Sequence, residues 1–187
     1  HMLIVPTDRL SACDVVVDEP SPEEGKILTS IANYWFKKTN HIIQNHLTEI
    51  NINEVLSYKE SELIKDRAIV VKKLKPIPIE AVVRGYLIGS GWKEYTNTGA
   101  VCGIRLPKQM RLAEKLDQAI FTPSSKADVG KHDENISFIE TKNIVGEELA
   151  TQIKNTSIRL YDFASKHSIK RGIIIADTKF EFGLDNE

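Results

Sequence analysis

Residues 173–183 run Ile-Ile-Ile-Ala-Asp-Thr-Lys-Phe-Glu-Phe-Gly, an apolar start that passes abruptly into a row of charges. Side chains on a strand alternate between faces, so the stretch reads as a strand with Asp177, Lys179 and Glu181 on one face and Thr178, Phe180 and Phe182 on the other. The triple-Ile start implies burial, and the charged end makes one face a polar site. Two carboxylates flanking an ammonium suit a divalent cation and a phosphate. A half-exposed strand with a surface ion pair is the plainer alternative.

A second strand lies upstream. Residues 76–92 run Pro-Ile-Pro-Ile-Glu-Ala-Val-Val-Arg-Gly-Tyr-Leu-Ile-Gly-Ser-Gly-Trp, in which Ile79, Ala81 and Val83 alternate with Glu80, Val82 and Arg84. The pattern predicts a strand ending in a charged residue, followed by Gly85 and then Gly89-Ser90-Gly91. Glycines let backbone N–H groups approach an anion, Ser90 adds a hydroxyl, and Arg84 offers a planar fork that matches phosphate or carboxylate oxygens. The outline is that of an anion pocket, although Gly-Ser-Gly by itself is equally an ordinary turn.

Around these stretches, helices are predicted over residues 26–45 and 147–167. The first carries Ile27, Leu28, Ile31, Trp35 and Ile42 near one face, with Glu23 and Glu24 at its positive end. The second keeps Leu149, Ile153, Leu160, Phe163 and Ala164 in one stripe and places Lys166, His167, Lys170 and Arg171 at its negative end, before Gly172. Trp35 and Phe36 read as core. Residues 68–74 read as a strand leading into Pro76 and Pro78, a pair that marks a lobe boundary. Residues 96–136 show little periodicity and read as a long loop region, either functional or partly mobile, with its length favouring function. Helix followed by strand makes a layered domain of α and β elements.

Composition excludes more than it assigns. With 25 Lys and Arg against 26 Asp and Glu, the net charge is −1, which gives no reason to expect nucleic acid as a partner. No apolar run approaches the ~20 residues that cross a bilayer, so no membrane partner is expected. The two cysteines, Cys13 and Cys102, lack zinc spacing and are too few for a disulfide scaffold, which points to a reducing, cytoplasmic compartment. His41 and His46 are not at a helical ligand offset, and surface or capping roles are expected for the histidines.

The two strands, together with Thr7-Asp8-Arg9-Leu10-Ser11-Ala12-Cys13-Asp14 near the start and Phe121-Thr122-Pro123-Ser124-Ser125-Lys126-Ala127-Asp128 followed by His132-Asp133-Glu134-Asn135, resemble the SAICAR synthetase family of purine biosynthesis. The resemblance runs over nearly all 187 residues, with the separated motifs in the family's order. It implies an α+β, two-lobed fold. Residues 1–74 would form the remainder of an antiparallel, β-rich nucleotide-binding lobe, and residues 75–187 an α/β lobe for substrate and metal. It implies an ATP-dependent ligase that joins L-aspartate to the carboxylate of carboxyaminoimidazole ribonucleotide (CAIR), using magnesium and releasing ADP and phosphate. By the same resemblance Asp177 and Lys179 are catalytic, with Asp177 and Glu181 at the metal. Arg84, Ser90, Ser11, Asp14, Lys126 and Asp133 face substrate, with His132 in the same loop as Lys126. Lys72, Leu74 and Glu181 serve ATP, the segment at 71–74 pairing with adenine through its backbone.

Two positions depart from the family pattern: Cys13 stands where an aromatic residue is usual, and Ile88 where a small one is often found. Neither removes a charged group. The family also carries a glycine-rich strand pair before the point matched by His1 and an acidic loop, a Ser-Arg segment and a helix after Glu187, so these residues are expected to be the middle of a longer enzyme. His1-Met2 reads equally as an expression scar or native sequence. A kinase-like phosphotransferase and a non-catalytic binding module are the competing readings. The sequence does not indicate an oligomeric state.

Overall fold

A computed structural model describes residues 1–12, 15–126 and 134–185, and the chain divides into two compact units, His1–Leu74 and Lys75–Glu187. The first unit holds β1 (Met2–Ile4), a short hairpin of β2 (Ser11–Ala12) and β3 (Val15–Val16), α1 (Glu24–Thr39), α2 (Tyr58–Leu63) and β4 (Ile69–Val71). β1 and β4 pair antiparallel with Leu3 opposite Val70, and Leu47 bridges to Val71. Helix α1 is shorter than the periodicity predicts: after Thr39 the chain turns, and the Asn45 side chain donates back to the Phe36 carbonyl at 3.2 Å.

The buried face of α1 also differs from its apolar pattern. Ile27, Leu28 and Ile31 are exposed, whereas Gly25 and Thr29 are buried. The small-residue face approaches the neighbouring segment because the Thr29 hydroxyl donates to the carbonyls of Gly25 and Arg67, at 2.8 and 3.0 Å. His46 is not a surface residue. It is half-buried beside the Phe36 ring, 4.9 Å between centroids, and its burial pushes the imidazole pKa down.

In the second unit β5 (Lys75–Pro76) leads into β6 (Ile79–Tyr86), followed by α3 (Gly89–Thr98), β7 (Ala100–Val101), β8 (Ile104–Arg105), β9 (Lys115–Phe121), β10 (Ser124–Ser125), α4 (Phe138–Val145), α5 (Glu147–Ile169), β11 (Asp177–Phe180) and β12 (Gly183–Leu184). β6 is the central strand. β9 and β10 pair along one edge and β11 along the other, all antiparallel. Thus the stretch expected to be a loop, residues 96–136, contributes a seven-residue strand to the main sheet.

The alternation in β6 is realised. Ile79, Ala81 and Val83 join Ile77, Phe121, Ile153 and Tyr161 in the core beneath α5, with Phe180 and Phe182 packed against it. Each large aliphatic side chain so buried contributes about 1.5–3 kcal/mol. Glu80, Val82 and Arg84 occupy the opposite face and are buried too. Gly85 is required by close packing: a Cβ there would lie 1.8 Å from the Tyr161 hydroxyl, which donates to the Ile175 carbonyl at 2.8 Å.

The triple-Ile start is not a buried strand. Regular pairing begins only at Asp177, and Ile173 and Ile174 are exposed. The cause is a bulge, because the amides of both Gly85 and Tyr86 donate to the single Ala176 carbonyl, at 3.0 and 3.2 Å, and end the ladder there.

Candidate functional site

The polar face of β6 and its partner strand build the site. Register sets Asp177 opposite Arg84 and Lys179 opposite Val82, so both β11 side chains share the face of Glu80 and Arg84. Arg84 Nη1 lies 3.1 Å from Asp177 Oδ2 and 3.4 Å from the Ile88 carbonyl. Nη2 donates to Ser90 Oγ at 2.8 Å, and Nε donates to Thr122 Oγ1 at 3.1 Å. Four contacts on a five-donor guanidinium commit most of the fork to the protein.

Helix α3 closes over this arginine. Gly91 permits it, since a Cβ there would stand 3.0 Å from Arg84 Nε. The first helical bond runs from Trp92 N–H to the Ile88 carbonyl. The amides of Gly89, Ser90 and Gly91 therefore stand at the helix's positive end, where geometry leaves them without intrahelical acceptors and suited to an anion.

A second pair lies further along the row, where the Lys179 ammonium meets Glu80 Oε2 and Ser124 Oγ donates to the same oxygen at 3.4 Å. A third joins Lys126 Nζ to Glu181 Oε2 at 3.1 Å. Exposure rises outward: the Arg84 side chain is 6% exposed and Asp177 39%. The buried groups sit on the central strand, and their partners on β11 reach the solvent.

These six groups are charge-balanced, three cations against three carboxylates. A triphosphate arriving here gains no net positive charge from them, which is the situation in which a divalent cation is needed. Among the described residues no cluster of three or more His, Cys, Asp and Glu side chains could cage a metal. Magnesium does not require such a cage; it takes one or two carboxylates and completes its octahedron with phosphates and water. The exposed Asp177 carboxylate fits that requirement.

The structure thus brings Arg84, Ser90, Asp177 and Lys179 onto one face and joins Lys126 to Glu181. Asp177 and Glu181 have different partners and, four residues apart, stand about 13 Å apart if extended. Lys72 and Leu74 belong to the first unit, where the Lys72 amide donates to the His46 carbonyl at 2.8 Å. Ser11 begins β2. Asp14, His132 and Asp133 lie outside the described residues. Sequence reasoning missed Glu80, Thr122 and Ser124 as site residues; the available signal was Glu80 itself, a carboxylate two positions from Val82 and four from Arg84 on one face of an otherwise apolar strand.

A sequence model of SAICAR synthetase matches residues 1–187. Phosphoribosylaminoimidazole-succinocarboxamide synthase of Neisseria meningitidis serogroup C is 56% identical over 185 residues, covering 99% of this chain and 64% of that protein. The enzyme of that name from Cupriavidus metallidurans is 57% identical over 184 residues, covering 98% and 61%. The chain therefore spans somewhat under two thirds of the length of these relatives. Among solved structures, SAICAR synthase from Saccharomyces cerevisiae complexed with SAICAR superposes with a TM-score of 0.89 at 40% identity, covering 98% of this chain and 62% of that one. SAICAR synthetase from Pyrococcus horikoshii shares the fold at a TM-score of 0.77 and 22% identity, covering 99% and 71%.

Proposed function

We propose that this chain, which belongs to the SAICAR synthetase family, carries the anion- and metal-binding face of an ATP-dependent ligase that joins L-aspartate to CAIR. The observation that carries the reading is the group of Arg84, Ser90 and Asp177, in which a buried guanidinium fixes a hydroxyl and a carboxylate beside a helix N-terminus. Such a group can hold a carboxylate or phosphate substrate without rearranging.

The chemistry requires activation, because a carboxylate does not react with an amine at useful rates. The γ-phosphoryl of ATP passes to the CAIR carboxylate, forming an acyl phosphate and ADP. The aspartate amine then attacks that carbonyl, expelling phosphate and losing its proton as the amide forms. Magnesium would neutralise phosphate charge during the first step, held through Asp177, while Glu181 would serve the nucleotide separately, further along the row. Lys179, anchored by Glu80 yet 55% exposed, places an ammonium where charge develops on the transferred group. Arg84 and Ser90 orient CAIR, and Lys126 serves the same substrate with Ser11, Asp14 and Asp133. The backbone at Lys72 and Leu74 receives the nucleotide. The diffusible substrates suit a cytoplasmic enzyme. No helix of the described residues is long and apolar enough to cross a membrane.

The test uses the full-length protein. SAICAR should form only when ATP, magnesium, CAIR and L-aspartate are all supplied. Phosphate release equally fast without CAIR, or with serine or glycerol in its place, would overturn the ligase reading.

A further inference from the structure

Helix α3 carries more than Ser90. One turn along the same face lies Glu94, whose carboxylate is divided between two distant segments. Oε1 accepts the Cys102 amide at 2.7 Å, and Oε2 accepts the Asn135 side-chain amide at 2.8 Å.

The first bond steadies a tight turn. β7 and β8 pair through Val101 and Ile104, leaving Cys102 and Gly103 as a two-residue loop with φ of 51° and 79°. Positive φ at both positions suits a hairpin's twist but strains a residue with a side chain. Cys102 tolerates it with its amide on Glu94 and its thiol buried, 3.7 Å from the Pro123 carbonyl. Burial, with the Glu94 charge adding to it, pushes that thiol up to about 12.

The second bond closes a small ladder. Ser124 bridges to Asn135, the Ser125 amide donates to the Glu134 carbonyl at 3.0 Å, and the Ile136 amide donates to the Pro123 carbonyl at 3.0 Å. Within the ladder, Ser124 contacts Glu80, the partner of Lys179, and Lys126 next to it pairs with Glu181. One face of α3 therefore reaches two neighbouring pairs of the charged row, Arg84–Asp177 through Ser90 and Glu80–Lys179 through Asn135 and Ser124.

We propose that Glu94 is a positioning residue for the ligase reaction: from the helix that orients Ser90, it seats residues 124–126 against Glu80 and Lys179, in register with Arg84 and Asp177. The inference rests on the reading above. Hydrogen exchange and steady-state kinetics of the full-length protein test it through Asn135→Ala, Glu94→Ala and Glu94→Gln. Asn135→Ala cuts the loop arm while leaving the Cys102 turn held. It should speed exchange at the Ser125 and Ile136 amides about tenfold and lower kcat about tenfold, with KM for ATP changed less than about twofold. Glu94→Ala should exceed it on both counts. Glu94→Gln should restore both to within about threefold, because its oxygen can accept the Cys102 amide while its NH₂ donates to a flipped Asn135 amide. Unchanged exchange in Asn135→Ala, fast exchange with unchanged kcat, or a glutamine variant as poor as alanine would each overturn the proposal. Failure of the ligase reading looks different, as no SAICAR from the unsubstituted protein; the exchange comparison alone then decides whether Glu94 anchors this strand end.

Discussion

Two arginine–aspartate pairs, one in each unit, use the same chemistry to different ends. Arg67 meets Asp8 with both prongs, Nη1 to Oδ1 at 3.0 Å and Nη2 to Oδ2 at 3.1 Å, and Oδ1 also accepts the Gly25 amide at the start of α1. The Arg67 hydrogen bond, and after it the Gly25 amide, hold the Asp8 carboxyl below the usual carboxylate range. Arg84 instead gives Asp177 one contact and divides the rest of its fork among Ser90, Thr122 and the Ile88 carbonyl. The first pair is closed on itself and fastens a helix. The second is open: a buried guanidinium holds a carboxylate whose outer side faces water, the geometry expected of a group that receives a ligand.

The strongest way to break this comparison is Asp177→Asn. The amide keeps the shape and loses the charge, so turnover should fall at least about 100-fold while the melting temperature moves by less than about 3 °C. Paired melting and rate measurements decide it, and a collapse in stability that matches the loss of activity would make this pair a fastener too. Lys179→Met should likewise lose turnover with little loss of stability.

Arg84→Lys comes next. A point charge cannot serve four acceptors in a plane, so CAIR affinity should drop by about 2 kcal/mol, nearly as far as in Arg84→Ala, with ATP binding almost unchanged. Calorimetry with each ligand separates the two effects.

Gly91→Ala alters no charge yet presses a methyl group on the arginine. A stability cost of about 1–2 kcal/mol is expected, with a loss of CAIR affinity that Asp8→Asn does not share.

The smallest effect belongs to the closed pair. Because the folded-state pKa of Asp8 is lowered, its contribution is fully present above the unfolded value and is lost as pH falls through the folded one. Asp8→Asn should therefore lower stability near neutral pH and flatten the acid limb of a melting-versus-pH curve. An unchanged acid limb would show that Arg67 does not favour the charged form of Asp8.

Strand β6 and helix α5 were legible because each carries its own periodicity: two in Ile79 through Arg84, and a helical stripe through Ile153, Leu160 and Ala164. Strand β9 was not, because Gly99, Gly103, Pro107 and Pro123 surround it and its pairing partner lies far back in the chain, with Phe121 opposite Val83 and Lys115 opposite Tyr86. Ile173 and Ile174 misled, since the bulge at Gly85 and Tyr86 that ends the ladder is a property of the partner strand. Arg84, Lys126, Asp177, Lys179 and Glu181 could be picked out from residue type in their motifs, but Glu80, Glu94, Thr122 and Ser124 matter only through what they touch across the fold.

Arg84 and Asp177 are 93 positions apart in the chain. Joining them closes a large loop, and the entropy of that closure must be met before the contact returns anything. Helices α4 and α5 can form from local contacts while the chain between the two strands is still searching, so β11 is expected to dock late. A partly folded chain can then join Arg84 to Ser90, six residues apart, before Asp177 is seated, and the charged row is complete only with the finished sheet.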